Sequence, residues 1–457
     1  MKNSKYEIDM CNGSIMDKLI SFSLPLMLSG ILQLMFNAVD IIVVGRFSGK
    51  QALAAVGSTT ALINVFTNLF IGISLGANAL AARFFAAGRK EEMSETVHTS
   101  ITLALISGIL MAFVGLVFSK GALELMGTPE DVIGLSTLYM RIYFMGMPFF
   151  MLYNYGAAIL RAVGDTKRPL LFLMIAGVIN ACLNMVLVIV FKLGVAGVAI
   201  ATVISQMISC VLVLRCLCQS KTSYRLRFSE LGMKGYYLKQ IFSVGVPAGI
   251  QSTVINFSNV LLQSSVNSFG STAMAGYTAA NNLLGFLYVS VNSITQACMS
   301  FTSQNYGVGK LKRMDRVLAD CMILSVVVAV VLGCICYGFG PEILQIYTED
   351  AEVIACGMEI LAYTTITYFL CGWMDLFPGA LRGMGYSAVP MVLSVIGTVG
   401  TRVVWIFGIF PYHRSLAILF ISYPASWIIT IILQVVCFYF VRRRVHRRSQ
   451  TLAGQEG

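Results

Sequence analysis

The sequence predicts an all-α polytopic membrane protein: twelve transmembrane helices in two pseudo-symmetric six-helix bundles. Three observations predict it. Of 457 residues, 57% are hydrophobic and only 12% charged, whereas soluble domains are about 25% charged. Twelve apolar runs are each long enough for a span, which takes roughly 20 residues. The second half also repeats the first at a fixed offset of 221 residues. So little charge cannot cover a soluble surface, and disorder requires low hydrophobicity and high charge. Twelve spans would use about 240–300 residues, leaving short loops and tails but no large soluble domain.

The elements follow in order. A polar tail, 1–17, carries Glu7, Asp9 and Asp17. It lacks the basic start, short apolar core and small-residue site of a cleavable signal, so the first apolar run is expected to stay as a helix. The apolar runs lie near 18–45, 52–82, 97–119, 131–161, 168–191, 195–217, 237–265, 272–304, 317–340, 352–383, 390–411 and 414–440. Pro25, Pro148 and Pro247 fall inside runs and are candidate kinks. The predicted organisation is a cytoplasmic tail 1–17, a bundle 18–217, a cytoplasmic linker 218–236, a second bundle 237–440 and a basic tail 441–457.

Charge sets the expected orientation. Twenty-five basic residues fall in segments on the side of the N-terminus, including Lys2, Lys5, Arg382 and five arginines from Arg442 to Arg448. Arg46, Lys50, Lys120, Lys192 and Arg414 fall on the other. By the positive-inside rule both termini are expected in the cytoplasm of a cell with the protein in its inner (plasma) membrane. The net charge of +11 is then topological. No basic run is interleaved with stacking aromatics, so nucleic acid is not an expected partner. The sequon Asn12-Gly13-Ser14 lies on the cytosolic tail and is read as chance. Cys216-Leu217-Cys218 and Cys334-Ile335-Cys336 have no histidine companions, so they do not form a zinc pattern.

The repeat is visible in paired segments. FNAVDIIVVGRFSG from Phe36 pairs with FSNVLLQSSVNSFG from Phe257, ARFFAAGRK from Ala82 with SQNYGVGKL from Ser303, and LRAVG from Leu160 with LRGMG from Leu381. Six helices per half is an even number, so both halves enter the membrane the same way. Parallel repeats of this kind are a transporter architecture, with the substrate site expected between the halves. The 6+6 major facilitator class carries a G-x-x-x-D-x-x-G-R-type motif after its second helix, and AARFFAAGRKEE lacks it. The chain instead resembles the multidrug and toxin extrusion (MATE) family over nearly its whole length. Pro25, VDIIVVGRFSG with Asp40, the paired loops after helices 2 and 8, and YGAAILRAVGDTKRPL at 155–170 carry the resemblance. The resemblance implies export of cationic amphipathic compounds in exchange for protons or sodium ions.

Acidic residues inside spans are informative because burying charge in a membrane costs a few kcal/mol or more. Asp40 and Asp375 lie well inside predicted spans. Asp40 shares a helix face with Ser29, Gln33, Phe36 and Asn37. Asn180 and Asn184 share a face of helix 5, and Thr202 lies on helix 6. Asp40, Asn180, Asn184 and Thr202 make a candidate oxygen cluster that could ligate sodium or, through Asp40, carry a proton. A structural helix–helix hydrogen-bond cluster is the alternative. The resemblance places Asp40, Asn180 and Thr202 at the family's N-half cation or proton site. Asn184 stands where many members have Asp, which removes one charge. Helix 7 of the family often carries a Glu near its Pro; here the first polar residue after Pro247 is Gln251.

Candidate cavity residues are Gln33, Phe36, Asn37, Met140, Met147, Met151, Asn154, Gln251, Asn281, Asn292, Thr295 and Asp375. The methionines and Asn154 share a face if helix 4 is continuous, and methionine suits a surface that accepts many shapes. Packing or lipid contact is the alternative for the methionines, and pairing with a nearby amide or arginine for Asp375. Gly72 and Gly76 read as a close helix crossing.

No cofactor is expected, only a coupling ion, H⁺ or Na⁺. Gly307-Val308-Gly309-Lys310 fails as a phosphate loop, because Gln304 and Leu311 stand where Gly and Ser or Thr are required. Gly383-x-Gly385-x-x-Ala388 lacks a preceding strand. The expected protein is not an enzyme but a monomeric efflux antiporter, whose partners are small cationic or amphipathic molecules and the lipid bilayer. A flippase for a lipid-linked oligosaccharide or cell-wall precursor would need a more cationic cavity, and only Arg141 and Arg402 are placed mid-span. A membrane enzyme or receptor would need a catalytic constellation or a sensing domain.

Overall fold

A computed structural model describes residues 6–453, with side-chain surroundings left undescribed at Ala61 and from Arg448 onward. Lys2 and Lys5 of the basic count lie outside the described residues. Twelve long helical rods and no strand are found among them. They are α1 (Met16–Phe47), α2 (Lys50–Ala86), α3 (Lys90–Leu125), α4 (130–162), α5 (Lys167–Val190) and α6 (Gly194–Gln219). The second six are α7 (Gly235–Asn267), α8 (Ser271–Gly307), α9 (Leu311–Gly338), α10 (351–383), α11 (Ala388–Ile409) and α12 (Leu416–Ala453). Eight rods are long and apolar enough to cross a bilayer, and α10 makes nine if its two bent pieces form one span. The other three are α4, which is split, and α7 and α8, whose apolar runs are diluted by serine, asparagine and glutamine. A polar membrane helix is tolerated where it faces a protein or aqueous interior rather than lipid.

Four rods depart from straight α-helix. α4 breaks at Gly146 into Glu130–Met145 and Met147–Ala162. Pro148 has no N–H to return to the preceding turn, so the ladder cannot cross this point. α10 bends by 51° between Thr364 and Tyr368. There Thr364, Thr365 and Thr367 donate their hydroxyls to the carbonyls of Ile360, Leu361 and Tyr363, a side-chain competition that bends helices. α5 and α11 widen into π-helical turns at Met185–Val190, Val395–Gly400 and Trp405–Ile409. Such widenings recur at functional sites. By contrast, α1 and α7 continue as helix past Pro25 and Pro247.

The chain forms two compact units, each described by itself. One contains the tail up to Asp9 and Leu28–Gly249; the other contains Met10–Met27 and everything from Ile250 onward. The divisions therefore fall inside α1 and α7 rather than in the 218–236 segment. In the first unit α7 crosses α2 through glycines. A Cβ on Gly72 would stand 2.3 Å from the Gly249 Cα, and one on Gly76 would stand 2.2 Å from the Ile241 carbonyl oxygen. Gly72 and Gly76 are thus a close helix crossing, and van der Waals contact between backbones holds it.

The 218–236 segment is tied down. The Arg227 amide donates to His98 Nε2, and Arg227 also hydrogen-bonds Glu230, holding that carboxyl below its usual range. Lys234 bonds Glu95 on α3. In the second unit Asn305, Lys310 and Arg313 hold Met10 to Asn12 through backbone carbonyls.

Candidate functional site

The first unit brings Asp40, Asn180, Asn184 and Thr202 together from three helices. Asp40 stands seven residues before the end of α1 and is buried. Asn180 and Asn184 are one turn apart on α5, and Asn184 is the last residue before the π-helical turn at Met185. Asn184 Nδ2 donates both to Asp40 Oδ1 and to Asn180 Oδ1, the latter at 3.1 Å. Thr202 Oγ1 lies 3.4 Å from Asp40 Oδ2 and 3.0 Å from the Val198 carbonyl of its own helix. Tyr139 and Tyr143 of α4 lie within electrostatic reach of the carboxyl.

Two details define what this cluster can do. Asp40 has no cationic partner within ion-pair distance among the described residues, so its charge is met by neutral dipoles alone. Asn184 Oδ1 is fully buried and accepts no hydrogen bond among the described residues. The donor set is thus all oxygen: a carboxylate, two amide carbonyls and a hydroxyl. Hard cations prefer oxygen ligands, and an uncompensated buried carboxylate is neutralised either by a cation or by a proton. Among the described residues no group of three or more His, Cys, Asp or Glu is placed to hold a metal.

The approach from α1 is set by packing. Phe36 lies against Gly177 of α5, where a Cβ would fall 1.8 Å from the ring. That contact brings α1 close enough to α5 for Asp40 to meet Asn184. Gln33 and Asn37 are exposed on α1.

The remaining sequence candidates are placed differently. Met140, Met147 and Met151 are enclosed in the core of the first unit. The break at Gly146 separates Met140 from the other two, so the expected single face of helix 4 does not exist. Asn154 is half-buried and donates to the Phe150 carbonyl. In the second unit Gln251 is buried and accepts 2.7 Å from Arg382. Arg382 is also the electrostatic partner of Asp375. Arg382, counted with the charges on the side of the N-terminus at the end of the 352–383 run, is buried in the last turn of α10. Asn281 is exposed, Asn292 accepts from Gln296 at 3.1 Å, and Thr295 is buried against Gly379.

Sequence reasoning missed the Arg382–Gln251–Asp375 grouping. A signal was available in the i, i+7 spacing of Asp375 and Arg382, which puts them on one helix face. It also missed the surroundings of Arg402. This side chain is 3% exposed and is bonded by Ser258, Asn259 and Ser426.

Comparison with known proteins agrees with this architecture. The MatE family model matches residues 25–186 and again 247–407, once per repeat. The chain is 31% identical over 434 residues to the probable multidrug resistance protein YoeA of Bacillus subtilis, covering 93% of both. It is 25% identical over 392 residues to the probable multidrug resistance protein NorM of Thermotoga maritima, covering 84% of this chain and 83% of that one. Among solved structures it is similar to a MATE in the bent conformation, at TM-score 0.87 and 20% identity over 99% of this chain and 100% of that one. It is also similar to a MOP superfamily transporter from Pyrococcus furiosus, at TM-score 0.89 and 21% identity over 98% and 99%. The repeat, the twelve rods and the double family match have one reading: this chain belongs to the multidrug and toxin extrusion (MATE) family of membrane transporters.

Proposed function

We propose that the protein is a secondary active multidrug exporter of the inner membrane, both termini cytoplasmic. It would expel cationic amphipathic compounds in exchange for protons or sodium ions. The observation that carries this is the Asp40 cluster, an uncompensated carboxylate met by the Asn184 amide, itself bonded to Asn180, and by the Thr202 hydroxyl. Relatives named as multidrug resistance proteins support the cargo class, and the 25-to-5 bias of basic residues supports the orientation. A cation or proton arriving at Asp40 would remove the charge that orients Asn184, and the α1–α5 contact would relax. Antiport follows if ion and drug favour different states, because a ligand with equal affinity for two states shifts neither.

The test is ethidium transport by inverted membrane vesicles under separately imposed proton and sodium gradients, wild type beside Asp40→Asn. One of the two gradients is expected to drive transport in the wild type, with at least about a tenfold loss in the variant. Transport that ignored both gradients and survived Asp40→Asn would refute the proposal.

A further inference from the structure

The helices α7, α11 and α12 are the repeat mates of α1, α5 and α6, the three that build the Asp40 cluster. At the corresponding place the second unit holds the opposite charge. Arg402 of α11 donates from Nη1 to Ser258 Oγ at 3.2 Å and to Asn259 Oδ1 at 2.7 Å, both on α7. Its Nε donates to Ser426 Oγ of α12 at 3.3 Å, and its guanidinium lies 4.7 Å above the Tyr423 ring. Adding the 221-residue offset to Thr202 and Ser205 gives Tyr423 and Ser426. The same three-helix junction is thus used twice, with an acid in one half and a base in the other.

Every acceptor of Arg402 is neutral. No carboxylate lies within ion-pair distance of it among the described residues, and the arginine that acts electrostatically on Asp375 is Arg382. Arginine does not give up its proton in proteins, so the charge stays and its cost is several kcal/mol unless an anion joins it. Three of its five hydrogens have acceptors, and the two on Nη2 have none among the described residues. Nη2 is thus left to donate a charge-assisted hydrogen bond to an anionic oxygen. Two further features fit a ligand site. Arg402 sits on a four-residue α-helical piece between two π-helical turns, Val395–Gly400 and Trp405–Ile409. Along α7 the polar residues Ser252 and Asn256 are exposed and Asn259 and Gln263 half-buried. At spacings of 4, 7 and 11 they form one polar stripe leading to Asn259.

We propose that Arg402, with Ser258, Asn259 and Ser426, binds a carboxylate carried by an exported compound. This rests on the export reading for the kind of ligand, but not on Asp40 or on any ion gradient.

The test uses two dyes that differ by one group. Rhodamine 110 is a zwitterion with a free carboxylate, and rhodamine 123 is its methyl ester. Their binding to the purified full-length protein is followed at equilibrium by fluorescence polarisation. The wild type is expected to prefer the acid by at least about tenfold, the range of a hydrogen bond to a charged group. Arg402→Gln should reduce that ratio to within about twofold of unity. Asn259→Asp tests the same point with the guanidinium kept: it supplies the missing counter-charge, should raise thermal stability, and should also abolish the preference. An unchanged ratio in Asn259→Asp would overturn the proposal even if Arg402→Gln failed to fold. A wild type that did not distinguish the dyes, or whose preference survived both substitutions, would overturn it as well. Because no gradient is applied, these results stand apart from the ethidium test of Asp40.

Discussion

Replacing Asn184 by leucine isolates the interaction at the centre of the Asp40 cluster. The two side chains share one branched skeleton of four heavy atoms, so the change removes hydrogen bonds without leaving a cavity. Asn184 Nδ2 serves two acceptors, Asp40 and Asn180. A bond to a charged group is worth about 1.5–3 kcal/mol and one between neutral groups about 0.5–1.5 kcal/mol. Against this, Asn184 Oδ1 is buried without a donor, and leucine relieves that penalty of about 1–3 kcal/mol. The net loss expected is therefore small, about 1–2 kcal/mol. The pairwise term is better resolved by a double-mutant cycle of Asn184→Leu with Asp40→Asn, because the penalty at Oδ1 cancels in the cycle. Neutral polar pairs between membrane helices average about 0.6 kcal/mol. A charged partner raises the expected coupling to about 1–2 kcal/mol. Reversible unfolding of the purified protein in mixed micelles reads it. A coupling at or below about 0.5 kcal/mol would refute the inference that Asp40 is charged and held by Asn184 in the resting protein.

Other outcomes follow from the same reasoning. Gly76→Leu drives a side chain into the α7 backbone, where a Cβ alone already meets the Ile241 oxygen at 2.2 Å; it should cost more than about 3 kcal/mol and lower the yield of folded protein on size exclusion. Gly177→Ala should cost about 1–3 kcal/mol by displacing Phe36, and Phe36→Leu in the same chain should recover most of it in a thermal melt. Arg442→Ala removes an exposed bidentate pair with Asp315, 2.6 and 2.7 Å, and should change the melting temperature by less than the equivalent of about 1 kcal/mol.

Features that obey periodicity were legible in the sequence. Asp40 and its cluster could be named because α1, α5 and α6 are regular where those residues sit, so spacing translates directly into a shared face. The twelve rods were legible for the same reason, each apolar run being bounded by charge, glycine or proline. Spacing fails where the helix itself fails. Met140 and Met147 were placed on one face by an unbroken helix 4, and Gly146 with Pro148 breaks it. The bend in α10 arises from threonine hydroxyls bonding back to the backbone, which a hydropathy profile scores as mild polarity. Arg382 was counted among the charges that set orientation because charge near a span end is usually solvated. Its burial depends on Gln251, 131 residues away. Arg402 was visible as a mid-span charge, but the neutrality of its surroundings is a property of three helices at once.

The glycine crossing of α2 and α7 bears on how the molecule is made. The first compact unit does not end with its sixth helix at Gln219; it runs to Gly249, because Gly245 and Gly249 fill the surface that Gly72 and Gly76 leave bare. During synthesis the first six spans would enter the bilayer with that strip of backbone uncovered. It closes only after the ribosome has passed the 220–234 segment and the start of α7 has inserted. A chain stopped at 217 should therefore be a substrate for membrane quality control, and one stopped at 249 should survive longer, a difference that pulse-chase labelling of the two truncations would register.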